Sequence, residues 1–137
     1  MRIVYNSVTI EQGLKRLSMN IQLEGMSLPG SGRVEVDIRV SADLHITATT
    51  ARRRVSRMVI SEIGNLLHGG EPSLVMGERI RWRVPIILAY PDIGPVGQVG
   101  ALDVDVETGE VLASPEQLAE IRAYAQYAAQ RTSPAAA

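Results

Sequence analysis

The chain has 137 residues, 45% of them hydrophobic and 21% charged, which suits one domain with a real core and excludes bulk disorder. It contains no cysteine, so disulfides, thiolate chemistry and cysteine-ligated zinc are excluded. A net charge of −1 conceals an arginine-rich middle (nine Arg against six acids over residues 33–83) and an acidic end (seven acids against two Arg over residues 91–137).

The opening MRIVYNSVTIEQG has no apolar core of the kind a secretory signal needs. No apolar run approaches the roughly 20 residues of a membrane span. Cytoplasmic residence, with no membrane partner, is the expectation. Thr9 and Gln12 have capping-box spacing, and Ile10, Leu14, Leu17 and Ile21 recur at helical intervals. This predicts a first helix over residues 10–24, stopped at Gly25, with a flexible connection from Ser27 to Gly32.

From Val34 to Ala48 every even-numbered residue is apolar, while every odd position between them is polar. That alternation predicts a half-buried strand or a hairpin over residues 33–48. Thr49 or Thr50 then caps a second helix over residues 50–68, ended by Gly69-Gly70. Val55, Val59, Ile60, Ile63, Leu66 and Leu67 form its apolar arc, and Arg53, Arg54 and Arg57 lie opposite.

A meander is expected over residues 73–112. Its first main strand carries Trp82, Val84, Ile86 and Leu88 and its second carries Leu102, Val104 and Val106, all in the even register. Folding that hairpin about Ile93 sets Trp82 opposite Val104 and Val84 opposite Leu102. The same register pairs Arg79 with Glu107, Arg81 with Asp105 and Arg83 with Asp103 on the outer face, each pair worth roughly 0.2–1 kcal/mol. Glu107 to Glu110 reads as a tight turn. Ser114, Pro115 and Gln117 open a last helix over residues 115–130, with Leu118, Ile121, Ala125 and Ala128 as its buried stripe. Residues 1–131 then make a single α+β domain of order α-β-α-β-β-β-α, an antiparallel β-meander packed against amphipathic helices. Residues 132–137 form a frayed tail.

Motifs for chemistry are absent from this reading. His45 on a strand and His68 at a helix end supply no ligand cluster, so no metal is expected. Asp103, Asp105 and Glu107 alternate like the start of a calcium loop, but Thr108 stands where that loop needs glycine. Gly94, Gly97 and Gly100 fit neither a dinucleotide fingerprint nor a phosphate loop. No catalytic residue and no cofactor are expected.

Two surfaces suggest binding. Towards the hairpin tip the outer face turns apolar at Pro85, Ile87, Ala89, Val99 and Ala101, which asks for cover by a helix, a second protein or another copy of the chain. Arg53, Arg54 and Arg57 crowd the positive end of a helix, where cations are disfavoured by roughly 0.3–1 kcal/mol each, and so offer an anion or nucleic-acid surface. A small-ligand site between helix and sheet is the remaining alternative.

The stretch from Ala51 to Leu112 resembles a PepSY domain. The likeness rests on a helix leading to Gly69-Gly70, the strand from Trp82 to Leu88, and the VDVETGEVL hairpin from Val104 to Leu112. It covers somewhat under half the chain. The resemblance implies a helix packed on an antiparallel meander and a non-enzymatic role in inhibition or regulation of another protein. The apolar hairpin tip and the lack of a catalytic motif independently suggest a non-catalytic binding module, an inhibitor, an antitoxin-like neutraliser or an assembly partner of another protein.

Overall fold

A computed structural model describes residues 10–12, 15–17, 21–24, 30–33 and 42–132. In chain order the elements are β1 (Ile10–Gln12), β2 (Lys15–Leu17), β3 (Ile21–Leu23), α1 (Ala48–Glu62), β4 (Leu67–Gly69), β5 (Ser73–Met76), β6 (Ile80–Tyr90), β7 (Gly94–Asp105), β8 (Val111–Leu112) and α2 (Pro115–Thr132). β1 and β2 form a two-stranded antiparallel sheet. The other strands make one six-stranded sheet in the order β3-β5-β6-β7-β8, with β4 also paired to β6. The fold class is α+β. The sheet is mixed rather than purely antiparallel, because β3 runs parallel to β5.

The helix expected over residues 10–24 is replaced by three short strands. Short apolar runs do not separate the two periodicities, and Gly13 would cost a helix interior roughly 1 kcal/mol. Ile21–Leu23 instead gains a backbone partner in β5, and the Glu24 N–H donates to the Met76 carbonyl at 3.0 Å. Of the strand expected over residues 33–48, residues 34–41 lie outside the described residues. Ala42 to Thr47 is irregular and Ala48 is already helical. Leu44 and Ile46 still turn inward against the core, as their alternation required.

α1 begins earlier and ends earlier than its pattern suggested. Thr47 is the N-cap, its hydroxyl accepting from the Thr50 N–H at 3.1 Å. The helix closes at Ile63 and Gly64, whose N–H groups both donate to the Val59 carbonyl. The earlier glycine is the stop signal, and Gly69-Gly70 serves a different purpose. Gly69 threads β4 between α1 and β6, where a Cβ would lie 2.9 Å from Val84 Cγ1 and 3.0 Å from the Arg52 carbonyl. Its N–H donates to Ser56 Oγ at 2.8 Å and its carbonyl accepts from Arg52 Nε at 3.0 Å. Side chains of α1 thereby satisfy the edge of β4 that no strand covers. His68 lies in β4 rather than at a helix end.

The β6/β7 register is the expected one over its first half: Arg81, Trp82, Arg83 and Val84 pair with Asp105, Val104, Asp103 and Leu102. Two register shifts, after Ile86 and after Leu88, then each add a residue to β7. The core joins Ala51, Val55 and Val59 of α1 to Trp82, Val84, Ile86, Leu102 and Val104, with Ile121 and Ala125 of α2 at its other end. Trp82 is 1% exposed and its indole N–H donates to the Ile46 carbonyl at 2.8 Å. α2 opens with the expected capping box. The Gln117 N–H donates to Ser114 Oγ at 3.1 Å, and the Ser114 N–H donates to Gln117 Oε1 at 3.0 Å. The helix continues through Thr132, and residues 133–137 lie outside the described residues.

α2 approaches β7 closely at Gly100, where a Cβ would stand 2.7 Å from Ile121 Cγ1. Gly97, three residues away, has open space at that position. Gly100→Ala should therefore destabilise the protein by about 1–3 kcal/mol through overpacking, while Gly97→Ala should change stability by less than about 0.5 kcal/mol. Urea unfolding of the two variants checks this. Equal midpoints would mean that α2 is not seated on Gly100.

Candidate functional site

Three surface features carry unusual side chains, and each follows from a local feature of the chain. The first is the outer face of the sheet. Arg83 grips Asp103 with two bonds, Nε to Oδ1 at 2.9 Å and Nη2 to Oδ2 at 3.0 Å. Arg81 donates from Nε to Asp103 Oδ2 at 2.6 Å. Glu24, just past β3, closes the lattice by accepting from Nη2 of Arg81 and, at 2.6 Å, from Nη2 of Arg83. Arg81 thus leaves its backbone partner Asp105 and bonds diagonally to Asp103. Asp105, 9% exposed, instead holds the following turn, its Oδ1 accepting from the N–H groups of Glu107 at 2.8 Å and Thr108 at 3.0 Å. Arg79 reaches Asp105 rather than Glu107, at 3.8 Å.

These contacts set the proton affinities. Burial favours the neutral form of Asp103, but hydrogen bonds from Arg83 and Arg81 hold it below the ordinary aspartate value. Glu24 is held low by hydrogen bonds from Arg81 and Arg83. Asp105 is held low by the backbone N–H groups of Thr108 and Glu107. Hydrogen bonds to Asp103 raise both Arg81 and Arg83. The cations are spent on the lattice, so this face is structural.

The second feature is the arginine run of α1. Arg52 is tied to the Gly69 carbonyl, and Arg54 donates from Nη1 to the Gly109 carbonyl at 2.6 Å. Gly109 has φ +75°, in the left-handed region that the turn demands. Arg54 therefore leaves the set of free cations. Arg53 and Arg57 are exposed, with no hydrogen bond or ion pair to any described residue. They border a shallow groove of about 670 Å³ together with Thr49, Arg52, Ser56, Ile60 and Ser61.

The third feature is the hairpin end. Of its five expected contact residues, Pro85, Ile87, Ala89 and Ala101 are half-buried, and Gly70 lies against Pro85 and Ile87. Val99 is 6% exposed and belongs to the core, because the register shift after Ile86 adds a residue to β7 at that point. The accessible surface has moved to the α2 side. There Leu88, Val96, Gly97, Gln98 and Val99 face Tyr124, Tyr127, Ala128 and Arg131 across a groove of about 370 Å³. The tyrosine rings stand 6.3 Å apart, and the Arg131 guanidinium lies 5.7 Å above the Tyr127 ring. Arg131 also donates to the Tyr127 hydroxyl at 3.1 Å. The sequence reading missed these tyrosines, although the place of Tyr127 opposite Leu118, Ile121 and Ala125, with Tyr124 on the flank of that stripe, was a legible signal.

Among the described residues no three His, Asp or Glu side chains gather as a metal site requires, and no helix is long and apolar enough to cross a membrane. His45 Nδ1 lies 3.2 Å from the Glu107 carbonyl.

The lattice makes acid sensitivity testable. A carboxyl with a lowered folded-state pKa stabilises fully above its unfolded pKa, and the effect is lost as pH falls through the folded value. Asp103→Asn should cost on the order of 2 kcal/mol near neutrality, since it removes the more buried of the two carboxylates that Arg81 and Arg83 share. Between about pH 5 and pH 2 the variant should lose less stability than the parent protein. Urea midpoints across that range give the answer, and parallel losses would rule out this role for Asp103.

No family model, curated protein or solved structure matches this chain.

Proposed function

We propose that the protein is a non-catalytic binding module that engages another protein through the groove between the hairpin end and α2. One observation carries this reading. The large exposed apolar side chains among the described residues are Ile60, Ile93, Tyr124 and Tyr127, and three of the four sit at the hairpin end or on α2 beside it. Exposed tyrosines backed by an arginine are the residue types that dominate binding energy at protein interfaces. The groove is open and shallow, with aliphatic walls at Leu88, Val96 and Val99 and one cation at its rim. It suits an aliphatic side chain followed by a carboxylate, presented by a partner chain.

Edge-strand addition is the less favoured mode for that partner. β7 is blunted beside the groove by Pro95 and two register shifts, and Gln98 Nε2 donates to the Gly100 carbonyl of its own strand. The PepSY resemblance points to the same class of role, inhibition or regulation of another protein. That likeness invoked a helix ending at Gly69-Gly70, whereas α1 stops at Glu62 and Gly69 lies in β4.

Purification of the tagged chain from its native host should recover a stoichiometric partner. Tyr124→Ala combined with Ile93→Ser should weaken that complex at least tenfold and leave the thermal midpoint nearly unchanged, since both side chains are more than half exposed. Recovery of the chain without any partner, or full affinity in the double variant, would overturn the reading.

A further inference from the structure

The outward faces of the two helices match each other. On α1, Thr49, Arg53, Arg57 and Ile60 share one stripe, opposite the buried Ala51, Val55 and Val59. On α2, Glu116, Glu120, Ala123 and Tyr127 share the stripe opposite Ile121 and Ala125, with Tyr124 on its flank. Arg53 and Arg57 are four residues apart, as are Glu116 and Glu120, so each pair spans about 6 Å along its helix. All four are exposed and unpaired among the described residues. Beyond the charges, towards the C-terminus of each helix, come exposed apolar groups: Ile60 at 48%, and Tyr124 and Tyr127 at 55% and 54%.

We propose that these stripes bind each other between two copies of the chain, with Arg53 and Arg57 of one copy against Glu116 and Glu120 of the second. Laid parallel, the helices bring Ile60 alongside Tyr124 and Tyr127 as the charges meet. A two-fold axis between the copies forms the contact twice, α1 on α2 and α2 on α1, which is the closed symmetry of an isologous dimer. The alternative occupant of the α1 stripe, a nucleic-acid backbone, is poorly served. Of the four arginines of α1, two have no partner among the described residues, and Ile60 stands among them. This inference rests on the reading of the protein as a binding module and names a second copy as one of its partners.

Charge reversal tests it on the full chain. The parent protein should sediment as a dimer that dissociates as salt is raised. Arg53→Glu with Arg57→Glu should give a monomer, because both contacts then set acid against acid. Glu116→Arg with Glu120→Arg should do the same with the opposite sign. An equimolar mixture of the two variants should recover the dimer mass, since every contact again joins opposite charges. Circular dichroism and thermal unfolding of each variant separate dissociation from misfolding. A parent protein that stays monomeric at every concentration and salt would overturn the proposal. So would a reversal variant that remains dimeric, or folded monomeric variants whose mixture fails to associate. Salt-sensitive binding of duplex DNA by a monomeric parent, abolished by Arg53→Glu with Arg57→Glu, would assign the arginines to nucleic acid instead. Ile93 lies at the hairpin end, outside both helix stripes, so Ile93→Ser alone reads the hetero-partner complex independently of dimerisation, and loss of dimerisation by charge reversal leaves that reading standing.

Discussion

The position of Asp103 between Arg81 and Arg83 organises much of this molecule. A slip of one residue between β6 and β7 would exchange the faces of the moving strand and carry Arg81 and Arg83 into the core. Opposite charges on one side and Trp82, Val84, Leu102 and Val104 on the other admit a single register. Asp103 adds what simple pairing does not, because it accepts from both arginines at once. Glu24 accepts from Nη2 of each arginine, which ties β3 to a hairpin it does not touch in the strand order. The parallel edge strand, only three residues long, is anchored by charge as well as by backbone bonds. Bidentate geometry and partial burial set this lattice apart from exposed ion pairs of little worth.

The same hairpin shows where a register ceases to govern. Past Ile86 the added residues in β7 cancel the alternation that makes the outer face apolar on paper. Val99 passes from the outer face to the core, beneath α2. A bulge re-aims side chains locally and strengthens the twist of a strand. Here it also leaves room for Tyr124 and Tyr127 to form the wall of a groove with Leu88 and Val96. The apolar character expected at the tip is present, but on the helical side of the sheet.

What could be read from the sequence divides along physical lines. The meander, the α2 capping box and the Trp82–Val104 register were legible because each rests on contacts between residues of known spacing. The helix expected over residues 10–24 failed because its apolar residues serve strands equally well, and the partner that decides the matter, β5, lies some fifty residues downstream. The Gly69-Gly70 pair misled for a related reason. A glycine at a helix end and a glycine squeezed between helix and strand look alike in sequence, and only packing tells them apart. Among the binding residues, the arginines could be named, but which of them were free could not. That depends on the carbonyls of Gly69 and Gly109, contributed by β4 and by the turn before β8.

Those two carbonyls resolve the electrostatic difficulty of α1. Four arginines occupy the first ten residues of the helix, near the positive end of its dipole, and no acid stands in its first turn. Arg52 and Arg54 offset part of that cost by reaching backbone carbonyls, the negative ends of other peptide dipoles. At the opposite end of α1, Arg122 of α2 donates to the Glu62 carbonyl at 2.6 Å, which places a cation where the dipole favours one. Folding thus accounts for three arginines and leaves Arg53 and Arg57 without a structural reason to be cationic. Side chains disfavoured by their own helix and bonded to nothing in the described fold gain most from an external anion. Glu116 and Glu120, equally unpaired and equally spaced on α2, are acids of that kind on the same chain.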